Sequence, residues 1–216
     1  MNIELISYTA LPDEVCSLAA QTCTSELPPK CAKLSVLNHT IGSGHLSVLE
    51  HAQFTFLICD VSRVTETQLV RHRIGTAYSI QSGRYCSRDP TNYVIPLNSP
   101  TSEEQEAINE FNQALIKLDR VLESKNIPAE DRRYFYPQGI KTNIMFSVNA
   151  RELLHIAEER MCFRAQREIR LVVSMMIELA KEVAPTIFEG AGAKCKRLNF
   201  CPEAKGCGKM PKKVSI

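Results

Sequence analysis

The chain has 216 residues, 44% hydrophobic and 23% charged, and its 26 basic and 24 acidic residues leave a formal net charge of +2. That length and composition suit one globular domain with its own core, and the near balance of charge excludes a general affinity for nucleic acid or an anionic membrane, so any basic site must be local. No charged start followed by an apolar run marks a signal peptide and no stretch of about 18 apolar residues marks a membrane span, so a cytoplasmic protein with no membrane partner is expected.

Residues 2–8, NIELISY, alternate Ile3 and Leu5 with polar neighbours and predict a strand, after which Pro12 and Asp13 open a helix carrying Val15, Cys16, Leu18 and Ala19. Beyond the turn ELPPK a short helix is expected near Ala32 to Asn38. AQFTFLICD, residues 52–60, predicts a central strand with Phe54, Phe56 and Ile58 on one face and Thr55, Leu57 and Cys59 on the other. Ser62 is placed to cap a helix through RVTETQLVRHR, on which Gln68, Arg71 and His72 would share neighbouring parts of one face.

Farther on, Ser102 with Gln105 forms a capping-box pattern ahead of Ile108, Phe111, Leu115, Leu118 and Leu122, which predicts an amphipathic helix. Asn149 can cap a helix with Glu152 at its third position, and RELLHIAEER then runs into a second helical pattern from Arg164 to about Val183, with Pro185 just beyond its end. Residues 191–216 are rich in Gly, Lys and Cys without apolar period and are expected to be a tail of a single domain spanning 1–216. Nine cysteines are an odd number for a secreted disulfide framework, so reduced thiols are expected. Cys195, Cys201 and Cys207 could contribute to a zinc site, but they lack the usual Cys-x-x-Cys pairing and a secure fourth ligand, so free thiols in a tail, with no metal, are expected and a zinc site is the alternative.

One short stretch concentrates chemistry. RHRIGTAYSIQSGRYCSR, residues 71–88, gathers Arg71, His72, Arg73, Arg84 and Arg88 with Ser79, Ser82 and Tyr85. A solvated basic helix end followed by a loop would account for such a composition. Guanidinium forks, a serine hydroxyl and the bare backbone of Gly83 also suit phosphate, although neither the Gly-rich lysine loop of a nucleoside triphosphatase nor a dinucleotide fingerprint is present.

Arg71-His72-Arg73, followed after a spacer by Ser82-Gly83-Arg84-Tyr85, resembles the signature of the flavin-dependent thymidylate synthases (the ThyX family). The family pattern has seven residues before the serine; here Ile74 to Gln81 make eight, and Ser79 and Ile80 stand in the region where Asn-Glu is often found. GHLSVLEH, residues 44–51, and SVNARELLHIAEERMCFRAQREIR, residues 147–170, are similar to two further blocks of the family, in the same order and spacing.

The resemblance implies an α+β fold, a single domain with a central, mainly antiparallel sheet and long helices, assembled as a homotetramer with active sites across subunit interfaces. It implies that His45, Ser47, Glu50, Arg71, His72, Arg73, Asn149, Arg151 and His155 contact FAD, and that Gln68, Ser82, Gly83, Arg84, Arg133 and Arg160 hold dUMP, with Arg160 the residue that activates the pyrimidine. The implied reaction is reductive methylation of dUMP to dTMP, with methylenetetrahydrofolate as one-carbon donor and NADPH reducing the flavin; no cysteine nucleophile is required. Hydroxymethyl transfer to a deoxynucleotide and a non-catalytic RNA-binding role for the basic tail are the alternatives.

Overall fold

The computed structural model describes residues 1–86, 88–96 and 100–212; Ser87 of the cationic stretch and the last four residues of the expected tail lie outside them. In chain order the elements are β1 (Asn2–Tyr8), α1 (Pro12–Thr22), α2 (Leu34–Gly42), a 3-10 turn (Leu46–His51), β2 (Gln53–Ser62), α3 (Arg63–Leu69), β3 (Thr76–Ile80) and α4 (Ser102–Ser124). They continue with α5 (Ala129–Arg132), β4 (Lys141–Asn149), α6 (Ala150–Arg160), α7 (Arg167–Val183), α8 (Pro185–Phe188) and α9 (Lys194–Leu198). The four strands form one sheet in the order β1-β2-β4-β3, every pairing antiparallel.

The alternation in residues 52–60 places β2 inside the sheet as expected. Phe54, Phe56 and Ile58 are fully buried, as are Ile144 and Phe146 opposite them on β4. Helix α7 lays Ile169, Val172, Val173, Met176 and Ala180 on this face, and α6 adds Leu153, Ile156 and Ala157. Burial on this scale stabilises by about 1.5–3 kcal/mol per large side chain. The opposite face is half exposed, and there the hydroxyls of Thr55 and Ser147 pair across the strands at 2.8 Å. A bulge between Ile58 and Val61 is turned by Asp60 at φ 57, whose N–H donates to Asn143 Oδ1 at 3.0 Å.

Both interior strands pass straight into helices, because the last strand residue is a cap. Ser62 Oγ accepts the Thr65 N–H at 3.1 Å, and Glu168 of α7 holds Ser62 through its N–H at 2.8 Å and its hydroxyl at 2.5 Å. Asn149 Oδ1 accepts the Glu152 N–H at 2.8 Å. Such caps satisfy amide groups that a helix start leaves without partners.

Several boundaries differ from those expected. The second helix begins at Leu34, two residues late, and α7 begins at Arg167 because residues 161–166 form a turn after α6. The cap of α4 is Thr101, one residue earlier than Ser102: its hydroxyl accepts the Glu104 N–H at 3.2 Å while the Glu104 carboxylate accepts the Thr101 N–H at 2.8 Å. An ionised carboxylate is the stronger acceptor, so this pair wins over Ser102 with Gln105. Pro185 does more than end α7; it starts α8, whose Thr186 and Ile187 N–H groups are capped by the buried carboxylate of Asp13 at 2.8 and 3.1 Å. Along α4 only Leu115 of the predicted stripe is buried, while Phe111, Leu118 and Val121 stay exposed. Among the described residues no helix is long and apolar enough to cross a membrane.

Candidate active site

The helix expected to run through Arg73 stops at Leu69. What stops it is tertiary: the Tyr78 hydroxyl bridges the carbonyl oxygens of Leu69 and His72 at 2.9 and 2.7 Å, and Thr76 Oγ1 donates to the His72 carbonyl at 2.9 Å. Gly75 then reverses the chain at φ 64, and a Cβ there would lie 2.0 Å from Asn149 Nδ2. Its carbonyl accepts the Asn149 N–H at 3.0 Å, which docks the His72 turn onto the junction of β4 and α6. Gln68 consequently shares no helical face with His72; its Nε2 donates to Gln166 Oε1 at 2.5 Å, and its own Oε1 is buried without a partner.

This turn delivers His72 to α6. His72 is buried, its Nδ1 lies 3.2 Å from Glu152 Oε1, and its Nε2 accepts from Arg160 Nε at 3.1 Å. Because a guanidinium Nε–H can only donate, Nε2 carries the lone pair and Nδ1 the proton that Glu152 accepts. Burial, then the Arg160 charge, then His155 hold the His72 pKa down to about 4, so the ring is neutral. Burial also pushes the Glu152 carboxyl above its usual range. The exposed His155 completes the group with its ring edge-on to His72 at 5.9 Å between centroids. Ligand atoms of His72, Glu152 and His155 lie within 4.8 Å of one another, yet the Arg160 cation on His72 disfavours a metal ion there.

Around this buried core lie exposed groups. Arg151 donates to Glu50 Oε1 at 2.5 Å and so ties α6 to the 3-10 turn, where His45 and Ser47 are also exposed. Arg71 and Arg73 flank His72, both exposed, and among the described residues neither has a hydrogen-bond or ion-pair partner.

A second cationic group forms elsewhere. The Arg84 N–H donates to Ser82 Oγ at 3.2 Å, Arg84 Nε to Glu130 Oε2 at 2.7 Å, and Arg133 Nε to the Glu130 carbonyl at 2.9 Å. Gly83 faces the Arg133 stem, which a Cβ would approach to 3.2 Å. A cavity of about 320 Å³ opens here, lined by Arg63, Gly83, Arg88, Arg132, Arg133 and Tyr134 among others. Arg88 is anchored to the carbonyls of Lys141 and Gln81 at 3.0 and 2.8 Å, and burial lowers its pKa.

The one cationic stretch of the sequence is therefore two groups in space. The spacer from Ile74 to Gln81 contains β3, which pairs with β4 from Thr76 opposite Val148 to Ile80 opposite Ile144. A five-residue strand holds its ends about 13 Å apart. Arg71 to Arg73 lie before one end, and Ser82 to Arg84 after the other. Glu130, Arg63 and Arg132 do not stand out in the sequence, being scattered along the chain with no shared motif; Glu152 is legible there only as a capping residue, and Arg88 only as one cation of the 71–88 stretch.

Residues 4–186 match the protein family described as Thymidylate synthase complementing protein. The flavin-dependent thymidylate synthase of Geobacter sulfurreducens is 41% identical over 221 residues, covering 97% of this chain and 94% of the relative. That of Clostridium tetani is 37% identical over 242 residues, covering 100% and 96%. Among solved structures, flavin-dependent thymidylate synthase ThyX from Helicobacter pylori, complexed with FAD and dUMP, aligns with TM-score 0.67 at 25% identity over 89% of this chain and 100% of that one. PolB from Streptomyces cacaoi, a UMP/dUMP methylase, aligns with TM-score 0.72 at 20% identity over 87% and 93%, and shows the shared fold. The chain belongs to the flavin-dependent thymidylate synthase family.

Proposed function

We propose that this protein methylates dUMP to dTMP reductively, with FAD as hydride carrier, NADPH as its reductant and methylenetetrahydrofolate as one-carbon donor. The observation that carries this reading is the partition of cations about β3. Arg71 and Arg73 stand exposed and unpartnered among the described residues beside the His72 turn, a donor set that fits the pyrophosphate of a dinucleotide. His45, Ser47, Glu50, Asn149, Arg151 and His155 supply the mixed hydrogen-bonding groups that a flavin ring and ribitol need. At the far end of β3, Ser82, the Gly83 backbone, Arg84 and Arg133 suit the dianionic phosphate of dUMP. The orphaned Gln68 Oε1 suits a pyrimidine N–H.

Bound FAD would supply hydride chemistry that no side chain can. The chain's own contribution is orientation and charge. Arg160 stabilises negative charge developing on the uracil ring, held in place by neutral His72, which Glu152 in turn fixes in the Nδ1–H form. No cysteine is needed as a nucleophile.

The strand β3 lies between the two groups, which supports a homotetramer with sites across its interfaces in which each group is supplied by a different chain. Exposed Ile74 (78%), Tyr85 (82%) and Tyr134 (78%) beside these cations, and the uncovered stripe of α4, support such coverage. The test is the mass of the pyrimidine product after incubation with dUMP, methylenetetrahydrofolate, NADPH and FAD, with FAD omitted as control. A flavin-dependent gain of one methyl group is expected. A hydroxymethyl product, or product without FAD, would overturn the reading.

A further inference from the structure

Residues 194–212 have almost no apolar material to hold them, yet they are folded against the body of the protein. Helix α9 packs on α6, with Arg197 paired to Glu158. After a left-handed turn at Asn199, φ 58, the chain loops out and returns, the Cys201 N–H donating to the Pro211 carbonyl at 2.7 Å and Cys201 bridging Lys212. The loop leans on the turn between α6 and α7, where Glu203 pairs with Arg164 at 3.1 Å and Lys209 Nζ sits 3.3 Å from the centre of the Phe163 ring. These contacts bring the loop to the immediate neighbours of Cys162. Within it the backbone passes so close over Cys201 that a Cβ on Gly206 would lie 2.9 Å from the sulfur.

We propose that Cys162, Cys195, Cys201 and Cys207 form a four-thiolate site for a thiophilic metal centre, a zinc ion or an iron–sulfur cluster, which fastens the C-terminal segment to the end of α6. Cys162 is the fourth ligand that the sequence, with 32 residues between Cys162 and Cys195, does not place near the other three. Cys195 lies on α9, which packs against α6 just ahead of Cys162, and Cys207 follows the Gly206 backbone that passes over the Cys201 sulfur. All four are free thiols, and four thiolates are the ligand set that selects zinc or iron–sulfur centres over harder ions. They are gathered more loosely than the 4.8 Å cluster at His72, so a single ion would draw them inward, whereas a bulkier iron–sulfur core would fill the space between them. Binding deprotonates the thiols and leaves a net negative centre. The segment is cationic, with Lys194, Lys196, Arg197, Lys205, Lys209 and Lys212 against Glu203; Glu159 and Glu158 of α6 pair with Lys194 and Arg197, and the remaining lysines offer the opposite charge to such a centre. Folded segments too small for a core are held in this way.

The full chain, purified under argon with a reductant and no chelator and then stripped of flavin, is analysed for zinc, iron and acid-labile sulfide. About one zinc per chain without visible absorption supports the zinc form, and iron with sulfide and a broad visible band supports the cluster. Cys201→Ser and Cys207→Ser should each lose most of that metal, while Cys23→Ser, at an exposed thiol in another part of the chain, keeps it. Wild-type protein free of both metals, disulfides among the four cysteines, or metal that persists in both variants would overturn the assignment. The metal count on wild-type protein needs no variant to fold and is independent of turnover.

Discussion

Arg160 donates through Nε to Nε2 of His72 at 3.1 Å, so the proposed activating cation is aimed by a buried, neutral imidazole and not by a carboxylate. A carboxylate in direct contact would neutralise much of the guanidinium charge; an imidazole fixes its direction and leaves the charge available. Glu152 is held one step back, on the other ring nitrogen.

Arg160→Ala should therefore retain bound flavin and lose about 100-fold or more in dTMP formation. Flavin absorbance of the purified variant and product formation at saturating dUMP measure the two properties separately, and turnover near wild type would remove Arg160 from the role.

The same geometry makes the site acid-sensitive. His72 has its pKa lowered from 6.5 to about 4 in the folded chain, so between those values the unfolded chain binds a proton that the native chain does not, and stability falls as the pH drops through that window. Protonation would also set an N–H against the Arg160 N–H. In an NMR titration the His72 ring should remain neutral until about pH 4, and a midpoint near 6.5 would contradict the buried geometry.

Gly75→Ala is expected to destabilise by at least about 2 kcal/mol, since a side chain at that positive φ is strained and its Cβ would displace the capping Asn149. Gly42, the last residue of α2, has open space around it, and Gly42→Ala should change stability by less than about 1 kcal/mol. Denaturant midpoints of the two variants decide.

Asp13→Ala should cost about 1–3 kcal/mol by leaving the Thr186 and Ile187 N–H groups without their acceptor. Thermal unfolding should show the loss with no change in substrate affinity.

Glu130 competes for Arg84 with any phosphate that binds there. Glu130→Gln should tighten dUMP binding about two- to fivefold, the scale of an exposed ion pair, as read by calorimetric titration; weaker binding would mean that Glu130 orders Arg84 for its ligand.

The elements legible in the sequence were those whose cause is local. Phe54, Phe56 and Ile58 announce a half-buried strand by alternation, and Asn149 with Glu152 announces a helix start. The end of α3 is not local: Val70 to Arg73 continue a helical pattern, and the hydroxyls that stop it come from Thr76 and Tyr78 on the next strand. The same division applies to the site. Arginines near each other in sequence drew notice, but the strand that separates them and the carboxylate of Glu152 behind His72 are products of the sheet.

That separation has a genetic consequence. If each site takes its Arg71–Arg73 end from one chain and its Ser82–Arg84 end from another, a variant crippled at Arg73 and a variant crippled at Arg133 spoil different halves of different sites. Coexpressed, two inactive chains would assemble some sites from two undamaged halves. Activity would then reappear from parents that have none, and the pairs of defects able to rescue one another would map which residues face each other across the interface.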